Sequence, residues 1–362
     1  MLSCSLAFGH AKTTSRHNRS ASKTAALITA IMPFAVFATP PVDTGSEPSD
    51  SRIASKRIDT CLLNQLKQAD NQTTVEQLKQ YCEQEIARIN APALPKIAER
   101  IAAEREEAFD PYVILPHKMN YILPATYTSD LNTEQYTDEG NWSDNLKNTE
   151  AKFQLSLKVP IARSIFRDDD QISFGFTLQS WWQVYATDIS SPFRETNYQP
   201  EIFYLTPLDW RPYDGLTGLM VGLEHQSNGR SHTLSRSWNR AYLNFFYAKD
   251  NFVLSFRPWY RLAEDEPSSP QNPGGDDNPD IRDYMGNFEL TFAYDLGEYE
   301  VVYTGRRNFS TSNSGGELGF TFPLSGRLKG YLQYTHGYGE SLIDYNHSQN
   351  RFGIGIAMTD LF

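Results

Sequence analysis

The stretch Thr217–Asn239, TGLMVGLEHQSNGRSHTLSRSWN, decides the fold because its residues alternate in character with a period of two. Side chains point in turn to the two faces of a β-strand, so every second residue shares a face. One face is apolar until it reaches a histidine and a serine: Thr217, Leu219, Val221, Leu223, His225 and Ser227. The other face is small or polar: Gly218, Met220, Gly222, Glu224, Gln226 and Asn228. At this spacing the imidazole can accept the hydroxyl proton, which is typical of the base and nucleophile of a serine hydrolase.

The same alternation recurs from about residue 111 to the end of the chain. Twelve segments carry it, near 117–128, 148–160, 171–186, 197–206, 216–228, 237–249, 251–262, 282–296, 298–310, 314–323, 328–339 and 350–362. Longer connections near 129–147, 187–196, 229–236, 263–281 and 340–349 alternate with mostly short ones, apart from a short connection near 311–313. An even number of strands with this alternation is typical of outer-membrane barrels. The sequence predicts an all-β fold: a twelve-stranded antiparallel transmembrane β-barrel over residues 111–362, with a small α-helical N-terminal extension.

Composition favours a membrane barrel over a soluble β-sandwich, which the same alternation could also form. Aromatic residues make up 13% of the chain, and charges recur along the row opposite the aromatic one. A polar interior and an aromatic, lipid-facing exterior would divide the residues in this way. No run of about 18 apolar residues follows the N-terminus, which excludes transmembrane helices. The net charge of −11 argues against nucleic acid as a partner.

Residues 1–38 have the pattern of an export signal. Three basic residues precede an apolar stretch over residues 25–38, which is too short to span a bilayer and ends in Val-Phe-Ala. A short buried helix is the alternative interpretation. Removal of the signal takes Cys4 with it and leaves Cys61 and Cys82, an even pair that predicts a disulfide in an oxidising compartment.

Residues 39–110 differ in character from the rest of the chain and are predicted to be periplasmic. Pro, Ser, Thr and Asp dominate residues 39–54, which we interpret as a linker. A capping-box pattern at Thr73 and Glu76 then precedes apolar residues at helical spacing. The pattern predicts a short helical hairpin stapled by the Cys61–Cys82 disulfide.

A third polar residue is expected beside the histidine and the serine. If the chain folds back around residue 232, Asn239 lies opposite His225 and shares its face. The amide can then accept a hydrogen bond from one imidazole nitrogen and leave the other as a base. Gly229, directly after this strand, could offer a backbone N–H to an oxyanion. The alternative is a pair of polar residues that lie near lipid headgroups without a catalytic role.

Several motifs strongly resemble outer membrane phospholipase A. They are HQSNGR at 225–230, SRSWNR at 235–240, SWWQ at 180–183, SSPFRETNY at 190–198 and GYGESLIDYNH at 337–347. The resemblance covers roughly residues 117–362. It implies a twelve-stranded outer-membrane barrel that hydrolyses sn-1 and sn-2 acyl esters of phospholipids and lysophospholipids through an acyl-enzyme. The site would face the cell surface.

The resemblance also implies roles for particular residues. Ser227 would be the nucleophile, His225 the general base and Asn239 its orienting residue. Ca²⁺ would be held by the carbonyl of Arg230, the hydroxyl of Ser235 and a carbonyl of the partner subunit, that of Ser190. The active form would be a homodimer, because dimerisation completes the calcium site.

Two positions depart from the family pattern. His232 stands where relatives carry an aspartate, which puts in doubt any calcium mode that uses a carboxylate there. Leu178 stands where relatives carry a glutamine in the membrane-embedded dimer interface. Leu178 falls in a row with Phe174 and Phe176, so we expect a weaker or differently regulated dimer that rests on apolar packing.

Two other functions compete with a lipase. Gly218, Gly222, Gly353 and Gly355 could leave room for a pore, although Glu224, Arg240, Glu289, Arg306 and Arg351 are able to fill the interior with ion pairs. An outer-membrane protease would instead use acidic and histidine residues on the rim, and its activity would survive replacement of Ser227.

Overall fold

A computed structural model of the chain describes residues 61–66, 73–90, 100, 104, 113–265, 275–326 and 328–359. A two-residue strand, β1, covers Leu115–Pro116. Twelve longer strands follow: β2 Tyr121–Thr128, β3 Thr149–Arg163, β4 Gln171–Trp182, β5 Phe193–Leu208, β6 Leu216–Ser227, β7 Ser237–Lys249, β8 Phe252–Arg261, β9 Phe288–Asp295, β10 Glu300–Arg307, β11 Ser314–Ser325, β12 Leu328–Tyr338 and β13 Ser348–Ala357.

The twelve long strands form one closed antiparallel sheet. Each pairs with its neighbours in the chain, and the sheet closes where β13 pairs with β2. The short β1 pairs with β3 at Leu115↔Lys158 and Pro116↔Leu157. Closure leaves no long strand with an unpaired edge, a condition that a sheet must meet inside a bilayer. The predicted fold class is confirmed.

The barrel has a polar inside and an apolar outside, as β3 illustrates. Lys152 and Ser156, on one row, are 1% and 0% exposed. Leu155, Leu157 and Val159, on the other row, are 45%, 43% and 41% exposed. A water-soluble sheet would bury the second row, whereas a lipid-facing sheet exposes it. The alternation read from the sequence is confirmed in this strand.

Ion pairs fill the interior of the barrel. Arg194 on β5 donates to Glu150 on β3 at 2.9 Å and to Asp344, after β12, at 3.0 Å, and all three side chains are fully buried. Arg351 on β13 also reaches Glu150, at 2.9 Å. Buried charges are stable only when they are paired in this way. This network therefore joins strands from opposite ends of the chain.

The network continues through Glu340, which lies in the connection after β12. Its carboxylate accepts from Arg351 at 2.9 Å and from Lys152 at 3.5 Å. Burial acts to raise the pKa of Glu340, but the charges of Arg351 and Lys152 lower that pKa to about 2. Glu340 therefore stays ionised at any pH near neutrality.

The inner-row glycines make room for side chains rather than for a pore. A Cβ at Gly218 would collide with the ring of Phe246, and one at Gly222 would collide with the ring of Tyr242. Gly353 faces Leu123 and Thr126 in the same way. Of the charged residues expected inside, Glu224 pairs with Arg240 and Arg351 with Glu150, while Arg306 donates to backbone carbonyls. These contacts argue against the pore interpretation.

Connections differ in length between the two ends of the barrel. One end carries the connections 129–148, 183–192, 228–236, 262–287, 308–313 and 339–347, and the other carries 164–170, 209–215, 250–251, 296–299 and 326–327. The predicted alternation of longer and mostly shorter connections is therefore confirmed. We call the first the loop end and the second the turn end.

Two α-helices lie in the described parts of the loop-end connections: α2 covers Trp142–Asn145 and α3 covers Ile281–Met285. The prediction of a strand from residue 282 is wrong, because α3 occupies the start of that segment and β9 begins only at Phe288. Gly286 ends the helix at φ 69°, where a Cβ would press on the backbone of Arg307. Tyr284, which the sequence pattern assigned to a strand of the barrel wall, therefore lies in a helix. The predicted connection 187–196 also starts and ends too far along the chain, since β4 ends at Trp182 and β5 begins at Phe193.

The N-terminal unit, residues 1–90, contains helix α1 at Val75–Asn90 and helical residues 61–66. A disulfide joins Cys61 to Cys82. The capping box lies one residue later than predicted: the backbone N–H of Gln77 donates to Oγ1 of Thr74, and the Gln77 side chain accepts from the Thr74 backbone. Because α1 starts at Val75, Thr74 is its N-cap. The predicted export signal, residues 1–38, and the linker to residue 54 lie outside the described residues.

Within the part of the chain that the structure describes, no helix has both the length and the apolar character needed to cross a membrane.

We expect Arg194→Met to lower the free energy of unfolding by about 3–5 kcal/mol, because it leaves Glu150 and Asp344 buried with a missing partner. Denaturant unfolding in lipid vesicles would measure it. The control is Arg167→Met, which removes an ion pair whose side chains are 45% and 88% exposed and should leave stability unchanged. Equal effects of the two variants would contradict a structural role for the interior network.

Candidate active site

The candidate site lies at the loop end of the β6–β7 hairpin. Strand pairing places His225 opposite Asn239 and Ser227 opposite Ser237, the register predicted from a reversal near residue 232. His225 is exposed and Ser227 is half-buried, on the outward row that also carries the exposed Leu223. The polar residues therefore face outward at the rim of the barrel, at the end of an apolar stripe.

The imidazole of His225 is held by Asn239. Its Nδ1 lies 2.9 Å from Oδ1 of Asn239. An amide oxygen only accepts hydrogen bonds, so Nδ1 carries the proton and donates it. The other nitrogen, Nε2, is then unprotonated and is able to act as a base.

Ser227 shares the outward row with His225, two residues further along β6. Its hydroxyl makes no hydrogen bond with any residue that the structure describes. Proton-transfer contacts commonly tighten only when substrate is bound, so a free hydroxyl beside a base is compatible with a nucleophile.

A buried asparagine organises the loop directly after Ser227. Nδ2 of Asn228 donates to the carbonyl of Leu234 at 2.7 Å. Its Oδ1 accepts from the backbone N–H groups of Arg230 at 3.2 Å and Arg236 at 3.0 Å. Asn228 is 4% exposed, so these bonds are shielded from water. The loop that follows the candidate nucleophile is therefore held in one conformation.

Gly229 occupies a position that favours glycine. Its φ is 63°, in the left-handed region, and a Cβ there would lie 3.3 Å from the ring of Tyr198. Gly229 is exposed and lies two residues after Ser227. The oxyanion role expected of its backbone N–H stays a prediction.

Comparison with known proteins identifies the family. Residues 97–358 match the family model of phospholipase A1. The chain is 40% identical over 263 residues to phospholipase A1 of Proteus vulgaris, a match that covers 72% of this chain and 87% of that protein. The chain belongs to the phospholipase A1 family. It is therefore a phospholipase, an ester hydrolase of the bacterial outer membrane that acts on phospholipid.

Solved structures of phospholipase A relatives share the barrel. An active-site mutant of outer membrane phospholipase A from Escherichia coli has a TM-score of 0.66 and 38% identity, covering 72% of this chain and 98% of that chain. The Salmonella typhi outer membrane phospholipase, solved as a dimer with bound calcium, has the same TM-score and coverage with 39% identity. The resemblance drawn from the sequence is confirmed.

The donor set expected for a cation in this phospholipase is made of oxygen atoms. Arg230 and Ser235 lie in the same short loop, and Oγ of Ser235 donates to Oδ2 of Asp277 at 2.6 Å. Ser235 is 9% exposed. Among the described residues, no three His, Cys, Asp or Glu side chains form a metal cluster. A carbonyl and a hydroxyl beside one carboxylate suit a hard cation such as Ca²⁺ better than a transition metal.

Of the two further residues named from the sequence, Ser190 lies on another connection, whereas His232 lies between Arg230 and Ser235 in the same loop and its carbonyl accepts from the Ser235 N–H at 3.1 Å. Ser190 ends a turn in the connection between β4 and β5, with φ 61°, and not in the β6–β7 loop. His232 is exposed and starts the turn His232–Leu234, with φ 56°. Since His232 supplies no carboxylate, the carboxylate nearest to Ser235 comes from Asp277, on the connection between β8 and β9.

An apolar groove adjoins the candidate site on the outer wall of this phospholipase. Its volume is about 600 Å³. Leu223 and Ala241, which line it, are each two residues from a site residue, His225 and Asn239 respectively. Its other outward-facing lining residues include Ile202, Val221, Leu243 and Tyr260. The groove is therefore an apolar surface whose lining comes within two residues of His225 and Asn239 along their strands.

Sequence reasoning missed three residues that contact the site: Asn228, Glu264 and Asp277. Asn228 belongs to the quoted HQSNGR motif, but its hydrogen bonds depend on the loop conformation. Glu264 and Asp277 lie in the long acidic connection between β8 and β9, where no periodicity indicates which carboxylates face the hairpin. The short distances to Asn239 and Ser235 reveal them only in three dimensions.

Proposed function

We propose that this phospholipase hydrolyses sn-1 and sn-2 acyl esters of phospholipids and lysophospholipids with Ser227, His225 and Asn239, in a calcium-dependent homodimer. The observation that carries the proposal is the 2.9 Å contact of His225 with Asn239, on the same outward row as Ser227. This contact selects the imidazole tautomer that a serine nucleophile needs. The adjoining apolar groove supports an acyl chain as the bound group.

Each proton in the proposed reaction has a defined place. Nε2 of His225 takes the proton of the Ser227 hydroxyl while Oγ attacks the ester carbonyl carbon. The tetrahedral oxyanion is stabilised by the backbone N–H of Gly229. The ester bond breaks as Nε2 returns the proton to the departing alcohol, the lysophospholipid, and the acyl group stays on Ser227. Water then gives a proton to Nε2, attacks the acyl-enzyme and releases the fatty acid, and Nε2 reprotonates Ser227.

Ca²⁺ is the cation proposed for the oxygen set described above. The carbonyl of Arg230 and the hydroxyl of Ser235 would hold it, together with the carbonyl of Ser190 of the partner subunit. When bound, the ion supplies positive charge that polarises the ester carbonyl. The neighbouring Asp277 supports this assignment. Its carboxylate accepts from Ser235 and would place a negative charge close to a bound cation.

The proposed orientation places the loop end, and with it the site, towards the cell surface. Outer-membrane barrels have short periplasmic turns and longer extracellular loops. The turn end has the shortest connections, such as 250–251 and 326–327. Residues 39–110, which precede the barrel, would then be periplasmic.

Ser227→Ala is expected to abolish release of fatty acid from phospholipid micelles and to leave the barrel folded, because the hydroxyl supports no packing. Asn239→Ala removes an orienting contact rather than the nucleophile, so a drop of about 100-fold in kcat is expected. A fatty-acid assay on both variants, with heat-modified gel mobility as the check on folding, makes the comparison. An Asn239→Ala variant less active than Ser227→Ala would overturn these roles. Full release of fatty acid by Ser227→Ala would show that another residue is the nucleophile.

Calcium dependence gives a separate test. A chelator should stop hydrolysis by the wild type, and Ser235→Ala should raise the calcium concentration for half-maximal activity by about tenfold, because one oxygen donor is lost. The matched control is Ser237→Ala, a nearby serine outside the proposed donor set. Activity that persists in chelator would refute the cation proposal while leaving the Ser227 assignment intact.

Dimerisation is expected to depend on calcium and to be limited by Leu178, which lies half-buried on the outward row of β4. Leu178→Gln should raise the cross-linked fraction, because an amide pair within a membrane contributes about 1 kcal/mol. Leu290→Gln, on the distant β9, is the control and should change nothing. A wild-type dimer that forms fully in chelator, or a Leu178→Gln variant that cross-links less, would contradict this account.

A further inference from the structure

Asn239 has a second partner that the proposed mechanism does not use. Its Nδ2 donates to Oε1 of Glu264 at 3.0 Å, while its Oδ1 accepts from His225 at 2.9 Å. Both ends of the amide are therefore engaged. Imidazole, amide and carboxylate form one hydrogen-bonded line that starts beside Ser227.

A backbone hydrogen bond holds the segment just before Glu264 against β7. It lies three residues after β8, and the N–H of Leu262 donates to the carbonyl of Asn239 at 2.9 Å. This bond extends the β7–β8 pairing as far as the residue that the carboxylate contacts. Glu264 is half-buried, whereas the adjacent Asp265 is exposed.

The carboxylate of Glu264 is not neutralised by a cation among the described residues. Arg261, three residues before Glu264, donates to Asp276, and Arg240, next to Asn239, pairs with Glu224 inside the barrel. Among the described residues, Asn239 is also the side chain that hydrogen-bonds to His225. The negative charge of Glu264 is thus directed at the imidazole through a single amide.

A neutral amide can hold an imidazole in place but cannot offset the positive charge that it gains when it takes the serine proton. A carboxylate behind the amide helps to stabilise the imidazolium in two ways. It fixes the amide orientation, since only Nδ2 can donate to it, and it polarises the amide so that Oδ1 becomes a better acceptor. Both effects grow as the imidazolium forms.

We propose that Glu264 is a positioning residue of the phospholipase site, which it extends to Ser227–His225–Asn239–Glu264. The carboxylate orients Asn239 and supplies through it the negative charge that the amide lacks. The inference rests on the proposed Ser-His-Asn function. Glu264 touches no substrate, so it affects the rate of the chemical step and not substrate binding.

Glu264→Gln tests the charge while it retains an acceptor for Nδ2. We expect kcat on phospholipid micelles to fall about tenfold, the effect of losing one charge-assisted contact, with KM unchanged. Glu264→Asp should recover part of the loss. Asp265→Asn removes the same charge one residue further along and should leave kcat at the wild-type value. Equal kcat values for Glu264→Gln and Asp265→Asn would overturn the proposal.

A double-mutant cycle separates this role from a purely structural one. In an Asn239→Ala background, Glu264→Gln should cause no further loss, because its effect passes through the amide. An additional tenfold loss there would refute the proposal. A Glu264→Gln variant whose kcat recovers at high calcium would also refute it and would assign the carboxylate to the cation. Failure of the underlying site would be seen independently, as activity that survives Ser227→Ala.

Discussion

A buried ion pair one residue from the site fixes the register on which the site depends. Glu224 and Arg240 pair across β6 and β7 inside the barrel, and the next pair along the ladder is His225 with Asn239, outside it. A slip of β7 by one residue would turn Arg240 into lipid and Asn239 inward, and would leave Glu224 buried without this partner. The cost of placing an arginine on the lipid face is large enough to make this register much the most stable one. The interior chemistry therefore determines which side chains the exterior presents.

A site on the outside of a barrel avoids a difficulty that a water-soluble lipase must solve. Lipid surrounds the apolar outward row, so a substrate of the proposed site would not need to leave the membrane to reach Leu223 and the groove beside it. At that proposed site the protein would supply polar chemistry at the rim of the barrel, where the apolar stripe ends. Asn228 and Glu264 then restrain the polar groups from two separate connections.

The sequence predicts the barrel well because period-two alternation reports directly on lipid and interior faces. It predicts the pairing of His225 with Asn239 for the same reason, since a hairpin has few registers that keep both faces consistent. It fails at Ile281–Met285, where a helical turn ended by Gly286 carries apolar residues that imitate a strand. It also cannot find Glu264 or Asp277, because a long connection lacks a period and its contacts depend on the loop path. The catalytic and calcium roles remain predictions until they are measured.

The interior network has a consequence for the order in which the barrel assembles. Arg194 and Glu150 come from early strands, whereas Glu340, Asp344 and Arg351 come from the last part of the chain. Arg194 and Glu150 can pair with each other before then, but their other partners, Asp344 and Arg351, arrive only with the last part of the chain, as β13 closes against β2. Until then the early strands carry an incomplete set of ion pairs, which keeps a growing sheet from settling as a stable half-barrel. Closure is thus the step at which electrostatics and hydrogen bonding are satisfied together, and folding should be cooperative over the whole ring.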